Sequence, residues 1–167
     1  MSEEKKRRFF YEIAKDAYDK ANATLDTLDG KANSFFTLDA ALITVVTGLS
    51  YFLIQYYSPS TAKYNPLLLT PIALSLVSFV ISIGIATQAY SPAERDYVDP
   101  EEIIQNSKAD PFNRVLVRTA LTFSYSASKN SERINKKAQK LELTATFMWL
   151  GLLLIVVGFG IFFYLTR

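Results

Sequence analysis

The sequence contains neither cysteine nor histidine. Their absence excludes disulfides, thiolate nucleophiles, Ser-His-Asp and Cys-His catalytic sets, and zinc sites built from these residues. A glycine-rich phosphate loop is also missing, and the adjacent acids Glu101 and Glu102 are typical of the start of a helix rather than of a catalytic pair. We therefore predict that the protein is not an enzyme and uses no cofactor and no metal.

Neither sign of charge dominates, because 18 Lys and Arg residues face 16 Asp and Glu residues and leave a net charge of +2. This balance gives no reason to expect a nucleic-acid polymer as partner. Half of the residues are hydrophobic, and they concentrate in three long runs separated by charged stretches. Such a distribution favours a membrane protein, with the lipid bilayer as its main partner, over one soluble globular domain.

Each of the three apolar runs is long enough to cross a bilayer, which takes about 20 helical residues. They occupy residues 35–57, 67–90 and 144–165. The second run carries no charge, and Pro66 and Pro71 fall in its first turns, where proline disturbs a helix least. A buried core helix is the alternative for each run, but three such runs in one small chain favour transmembrane helices.

The distribution of Lys and Arg predicts the orientation of the chain in the membrane. Sixteen of these eighteen residues lie in segments 1–34 and 91–143. The positive-inside rule places both segments, and hence the N-terminus, in the cytoplasm of a cell bounded by a plasma (inner) membrane. The loop 58–66 and the C-terminus are then external. Since 34 largely polar residues precede the first run, we expect no cleaved signal peptide.

Two polar segments repeat apolar or small residues at alternating steps of three and four, the spacing of one helix face. Before the first run this face comprises Tyr11, Ala14, Tyr18, Ala21, Leu25, Leu28, Ala32 and Phe35. Before the third run it comprises Leu116, Ala120, Phe123, Ala127, Asn130, Ile134, Ala138, Leu141 and Ala145. We predict an all-α membrane protein in which two long parallel cytoplasmic helices, 1–34 and 112–143, continue into the first and third spans. A kink at Gly30 is the alternative to a continuous first helix.

The connection 91–111 has to return the chain from the second span to the start of the second cytoplasmic helix. Asp99 is a typical N-cap residue, and Pro100, Glu101 and Glu102 suit the first turn of a helix. We predict a short helix at about residues 100–106.

Asp39 is the only ionisable side chain inside an apolar run. Acids within a membrane usually face a bundle interior, a water path or a partner, although Asp39 also lies near enough to the inner interface to be hydrated or paired with a base. Thr44 and Gly48 continue a ridge of small residues that starts at Ala40. We predict that Asp39, Thr44 and Gly48 line a membrane path or a helix contact, within one protomer or between subunits.

Four arginines lie at the far ends of the two predicted cytoplasmic helices: Arg7, Arg8, Arg114 and Arg118. The parallel arrangement would bring them together, and an anionic ligand would find a docking surface there. A solvated basic helix end is the alternative.

The junction LDGKANSFFTLDAALITVVTGL, residues 28–49, resembles the corresponding junction in small prokaryotic membrane effectors of the Pycsar transmembrane family. An acidic residue shortly before a Lys-Ala pair leads into the first membrane helix of those effectors, and Asp29, Lys31 and Ala32 are the matching residues. Residues 135–156, NKKAQKLELTATFMWLGLLLIV, are similar to that family's basic helix running into the last span. Related membrane effectors associated with cyclic-nucleotide synthases share this plan.

The resemblance implies an effector of antiviral defence that arrests growth or kills the cell when a cyclic nucleotide reaches its cytoplasmic part. Since three spans do not enclose a water path alone, membrane permeabilisation would require a homo-oligomer. An accessory or assembly subunit of a larger membrane complex is the alternative from another functional class. A small ion channel unconnected with defence is the third.

Overall fold

The apolar runs and the segments before them form helices, as their periodicity predicts. A computed structural model describes residues 3–56, 66–90, 96–99, 101, 103, 105 and 111–165 of the chain. It contains three long α-helices, α1 (Glu3–Tyr56), α2 (Pro66–Ala89) and α3 (Phe112–Leu165). Each is long and apolar enough to cross a membrane. The all-α class and the three candidate spans are thereby confirmed.

Both long helices continue from a charged half into an apolar half without a break. α1 and α3 each contain 54 residues. Gly30 is an ordinary helical residue of α1, and no described glycine has a positive φ. The prediction of continuous helices is confirmed, and the kink at Gly30 is not observed, because one glycine costs a helix only about 1 kcal/mol relative to alanine.

The chain divides into two compact units. We call residues 1–29 with 91–138 the polar unit, and residues 30–90 with 139–167 the apolar unit. α1 passes from one unit to the other at Asp29, and α3 does so at Ala138. α2 belongs entirely to the apolar unit.

In the polar unit, α1 and α3 meet along the two predicted helix faces. The rings of Tyr11 and Tyr18 lie 5.8 and 5.2 Å from the ring of Phe123. Further along, Asn22 contacts Asn130 and residue numbers rise together on both helices. The buried apolar side chains here are residues of the repeating face: Ala14, Tyr18, Ala21, Leu25 and Ala120.

Part of the connection between α2 and α3 packs on the polar unit. Residues 101, 103 and 105 are helical, and the backbone N–H of Glu101 donates to the carboxylate of Asp99 at 2.8 Å. Asp99 therefore caps the first turn, as its position in the sequence indicates. Pro100, Glu102, Asn106, the rest of this connection and most of the loop 58–66, which was predicted to be external, lie outside the described residues.

The apolar unit is built around one cluster contributed by all three helices. Val46, Phe79 and Met148 form its buried centre. Partly buried side chains pack around them, namely Phe35, Leu42, Ile43, Ile72, Leu76, Leu152 and Ile155. Large apolar side chains such as Val45, Val80, Leu153 and Val156 are exposed on the outside. Apolar residues on every side are typical of helices that contact lipid.

Gly151 lets α3 approach the ring of Phe79 on α2. A Cβ atom at this position would lie 2.7 to 3.0 Å from three atoms of that ring. The Phe79 side chain is fully buried, so its ring would have to shift within the packed interior to make room for this atom. The close packing of α2 against α3 therefore depends on a residue without a side chain.

We expect Gly151→Ala to destabilise the apolar unit by about 1–3 kcal/mol, the usual cost of overpacking a tight core. Gly160→Ala is the matched control on the same helix, since a Cβ there meets nothing within 4 Å. Thermal unfolding of both purified variants in detergent measures the difference. Equal midpoints for the two variants would show that Gly151 makes no special contact.

Candidate functional site

A buried acidic side chain connects the three helices of the apolar unit. Asp39 of α1 has no exposed surface, and its Oδ2 lies 2.6 Å from the Oγ of Ser82 on α2. The same Oγ lies 3.0 Å from the backbone oxygen of Thr144 on α3. Ser82 and Thr144 are fully buried too. We call these three residues the Asp39 junction.

α2 supplies hydroxyl groups to this interior at helical spacing. Ser75, Ser78 and Ser82 are all buried and lie on one face of α2. Ser78 donates to the backbone oxygen of Phe147 at 2.7 Å, one turn from the junction. Serines of this kind let membrane helices approach closely and join them by hydrogen bonds where no water competes.

One oxygen of Asp39 is unusual, because Oδ1 is buried and has no hydrogen-bond partner among the described residues. Buried polar atoms nearly always have one, since desolvation otherwise costs free energy. Two interpretations of Asp39 were open: a side chain facing the bundle interior, or one hydrated or paired near the inner interface. The burial of Asp39 favours the first. Lys31, the closest base on α1, is exposed.

Thr44 and Gly48 do not join Asp39. Both are exposed, and the Thr44 hydroxyl donates to the backbone oxygen of Ala40 on its own helix. A Cβ at Gly48 would meet nothing within 4 Å. Within the described part of the chain, this ridge of small residues therefore makes no helix contact. It lies on the exposed surface of the apolar unit.

In the polar unit the acidic residue of the family-like motif has a definite partner. Asp29 of α1 and Lys137 of α3 form an ion pair, and each side chain is only 10% exposed. Lys31 is exposed and Ala32 is buried, so the three motif residues have different environments. Asp29 and Lys137 come from the two sequence segments that carry the resemblance.

A second polar contact centres on Asn130, which is fully buried. Its Nδ2 donates to Oδ1 of Asn22 at 3.0 Å, and its Oδ1 accepts from the backbone N–H of Asp96 at 3.3 Å. The hydroxyl of Tyr18 accepts from the backbone N–H of Val98 at 3.2 Å. Residues 96–98 are thus held against both long helices. Sequence reasoning placed Asn130 on the packing face but did not predict this role.

Lys129 adds a charged contact beside Asn130. Its ammonium group lies 3.5 Å from Asp96 and 4.5 Å from the centre of the Tyr125 ring. A hydrogen bond with Tyr125 and the charge of Asp96 raise the pKa of Lys129. Lys129 consequently stays charged at neutral pH and strengthens the attachment of residue 96 to α3.

A groove opens between α1 and α3 in the polar unit, with a volume of about 270 Å³. Its lining is apolar apart from Arg7 and Ser124, and the remaining members are Phe10, Ile13, Ala14, Val117, Ala120 and Leu121. Arg7 is the member of the predicted arginine cluster that lines it.

The other three arginines of that cluster are not part of the groove lining. Arg8 pairs with Glu4 at 2.8 Å on the surface of α1. Arg114 and Arg118 are exposed side chains outside the groove lining. Of the four predicted arginines, Arg7 lines the groove together with Phe10, and anion binding by the four stays a prediction.

Comparison with family models, curated proteins and solved structures finds no match to this chain.

We expect Asp29→Asn to destabilise the polar unit by roughly 3–5 kcal/mol, because it removes the charge that pairs with the buried ammonium group of Lys137. Replacing both partners, as Asp29→Leu with Lys137→Met, should recover most of the loss, since an apolar pair needs no desolvation of charge.

Glu132→Gln is the control for this experiment. Glu132 pairs with Lys136 on the surface of α3, where both side chains are 68% exposed and the hydrogen bond from Lys136 lowers the pKa of Glu132. Its loss should change stability far less than the loss of Asp29. Chemical unfolding followed by circular dichroism compares the variants. If Asp29→Asn and Glu132→Gln behaved alike, the Asp29 pair would have no structural importance.

Proposed function

We propose that the protein is an oligomeric membrane effector of antiviral defence. A cyclic-nucleotide signal binds its cytoplasmic polar unit, and its spans then permeabilise the plasma membrane. The continuity of α1 and α3 carries this proposal, because each helix contributes one half to the polar unit and the other to the apolar unit. A change of helix packing in one unit can therefore be transmitted to the other along the continuous backbone of α1 and α3. The resemblance to Pycsar-type effectors supports the same role.

In this proposal the polar halves of α1 and α3 are the two parallel cytoplasmic helices, and the C-terminus is external. Two observations support the arrangement. The contacts from Tyr11 with Phe123 to Asn22 with Asn130 follow rising residue numbers on both helices. Nearly all Lys and Arg residues fall in these segments and the connection between them, as expected for cytoplasmic parts.

The groove is the proposed binding site for the nucleotide. Arg7 supplies a guanidinium that suits a phosphate, and Phe10 with the apolar side chains of α3 supplies a surface that suits a base. A ligand of this kind shifts the packing of α1 against α3 only if it binds one arrangement more tightly than another. Because the groove is lined by both helices, a change in their packing would change its shape.

Permeabilisation requires several copies of the chain, because the apolar unit has a packed interior rather than a channel of its own. The exposed ridge of Ala40, Thr44 and Gly48 is the proposed subunit contact. Small residues allow helices of neighbouring subunits to approach closely, which is how many membrane helices associate.

We expect Arg7→Gln to weaken binding of a cyclic nucleotide about 10- to 100-fold, because one charge-assisted hydrogen bond contributes about 1.5–3 kcal/mol. Arg8→Gln is the matched control: it removes the same charge from the next residue, which pairs with Glu4. Calorimetric titration of both variants with individual cyclic mononucleotides measures the affinities. Equal losses in the two variants would place the ligand outside the groove.

We expect nucleotide-dependent depolarisation when the protein is expressed in cells. A membrane-potential dye reports it, with wild type and Arg7→Gln compared at equal membrane levels and with nucleotide added or withheld. Wild type should depolarise only with the signal, and Arg7→Gln should need more of it. Unchanged potential and normal growth in every condition would contradict the effector role.

An accessory subunit of a larger membrane complex is the second candidate. It is favoured by the exposed apolar side chains at the groove, among them Phe10, Ile13 and Leu121, which a partner helix would bury. Copurification of a stable complex, together with the absence of any depolarisation, would select this function. A small ion channel, the third candidate, rests on Asp39 and the hydroxyl-bearing helix faces alone.

A further inference from the structure

The hydrogen count at the Asp39 junction gives information about its protonation. The Oγ of Ser82 is within hydrogen-bond distance of two oxygens, Oδ2 of Asp39 at 2.6 Å and the backbone oxygen of Thr144 at 3.0 Å. A serine hydroxyl has one hydrogen and donates one such bond. If Asp39 is ionised, its Oδ2 and the backbone oxygen of Thr144 are both acceptors, and the Ser82 hydroxyl has the only hydrogen available to them. One of the two close contacts then has no hydrogen between its oxygens.

A protonated Asp39 resolves this count. Its Oδ2–H donates to Ser82 Oγ, and the hydroxyl of Ser82 donates to the backbone oxygen of Thr144. Each close contact then contains one hydrogen. Oδ1, which has no partner among the described residues, becomes the carbonyl oxygen of a neutral acid rather than half of a buried charge.

The ionisable groups around the junction do not supply a counter-charge. α2 contains no ionisable residue. On α3, Glu142 is exposed, and Lys140 donates to the backbone oxygen of Gln88 at 3.3 Å. Gln88 lies six residues from Ser82, about 9 Å along α2. On α1, Lys31 is exposed.

The tyrosines of the apolar unit whose side chains are described are Tyr51, Tyr90 and Tyr164, and all three are exposed. No described base is therefore placed to compensate an ionised Asp39.

We propose that Asp39 is a proton-binding site: a neutral carboxylic acid whose proton completes a hydrogen-bonded chain from α1 through Ser82 of α2 to Thr144 of α3. The proton is the ligand of this site, and it completes the hydrogen-bonded connection between the three helices at this level. Release of the proton breaks one link of the chain and leaves a charge in the bundle interior. This role needs neither a nucleotide nor a pore, so it stands apart from the proposed function.

Infrared spectroscopy of the full chain in lipid vesicles tests the proposal. Isotope labelling of aspartate separates its carboxyl bands from those of glutamate. At neutral pH we expect one carbonyl band of a protonated aspartic acid, while the exposed aspartates give carboxylate bands only. Asp39→Asn should remove this band, and its amide still donates a hydrogen bond to Ser82, which preserves the fold. Absence of the band in wild type, or its persistence in Asp39→Asn, would overturn the proposal.

A second pair of variants tests the site without changing Asp39. Ser82→Ala removes the hydroxyl that accepts the hydrogen bond from protonated Asp39, so it should shift the frequency of the Asp39 carbonyl band. Ser78→Ala is the matched control, since it removes a buried serine one turn away that bonds to Phe147. A shift in Ser82→Ala alone supports the chain of hydrogen bonds. An unshifted band in Ser82→Ala, or equal shifts in both variants, would refute it.

Discussion

The structure of the apolar unit depends on one constraint: a helix in lipid has to satisfy its polar groups inside the protein. Asp39 and three serines of α2 are accordingly buried between the helices, while exposed threonines such as Thr44 bond to the backbone of their own helix. Its large apolar side chains are exposed outward, where a soluble protein would place charge. The interior is consequently a mixture of hydroxyl groups and apolar residues, and the close approach of α2 to α3 at Gly151 belongs to the same packing.

The polar unit follows the opposite rule, with charges outside and a face of apolar and small residues inside. Its specificity comes from a few buried polar pairs rather than from the apolar contacts. Asp29 binds Lys137, and Asn130 binds both Asn22 and the backbone of residue 96. Each pair is costly if only one partner is present, so these contacts favour one alignment of α1 and α3 over others of similar apolar area.

Much of this architecture could be predicted from the sequence. Hydrophobic length predicted the spans, helical period predicted the buried face of α1, and Asp99 was correctly placed as an N-cap. The partners of buried groups were not predictable. Periodicity identifies the helix face on which a residue lies but not the residue opposite it. Ser82, the partner of Asp39, and Lys137, the partner of Asp29, were therefore missed. Thr44 and Gly48 were ambiguous because small residues suit both an interior contact and an outer surface, and the fold places them outside.

The polar pairs between α1 and α3 in the polar unit, Asp29 with Lys137 and Asn22 with Asn130, also specify how the two helices are aligned along their length. If α3 slid by one turn along α1, Lys137 would face Leu25 or Asn33 instead of Asp29, and Asn130 would face Tyr18 or Asp26 instead of Asn22. Lys137 and Asn130 would both leave their present partners on α1, Asp29 and Asn22, in the same step, so the two contacts favour the same register. Toward Tyr11 and Phe123 the contacts are aromatic and not directional. The register of the two helices is therefore set by the polar contacts at the Asp29 end of the polar unit rather than by the ring contacts at the Tyr11 end.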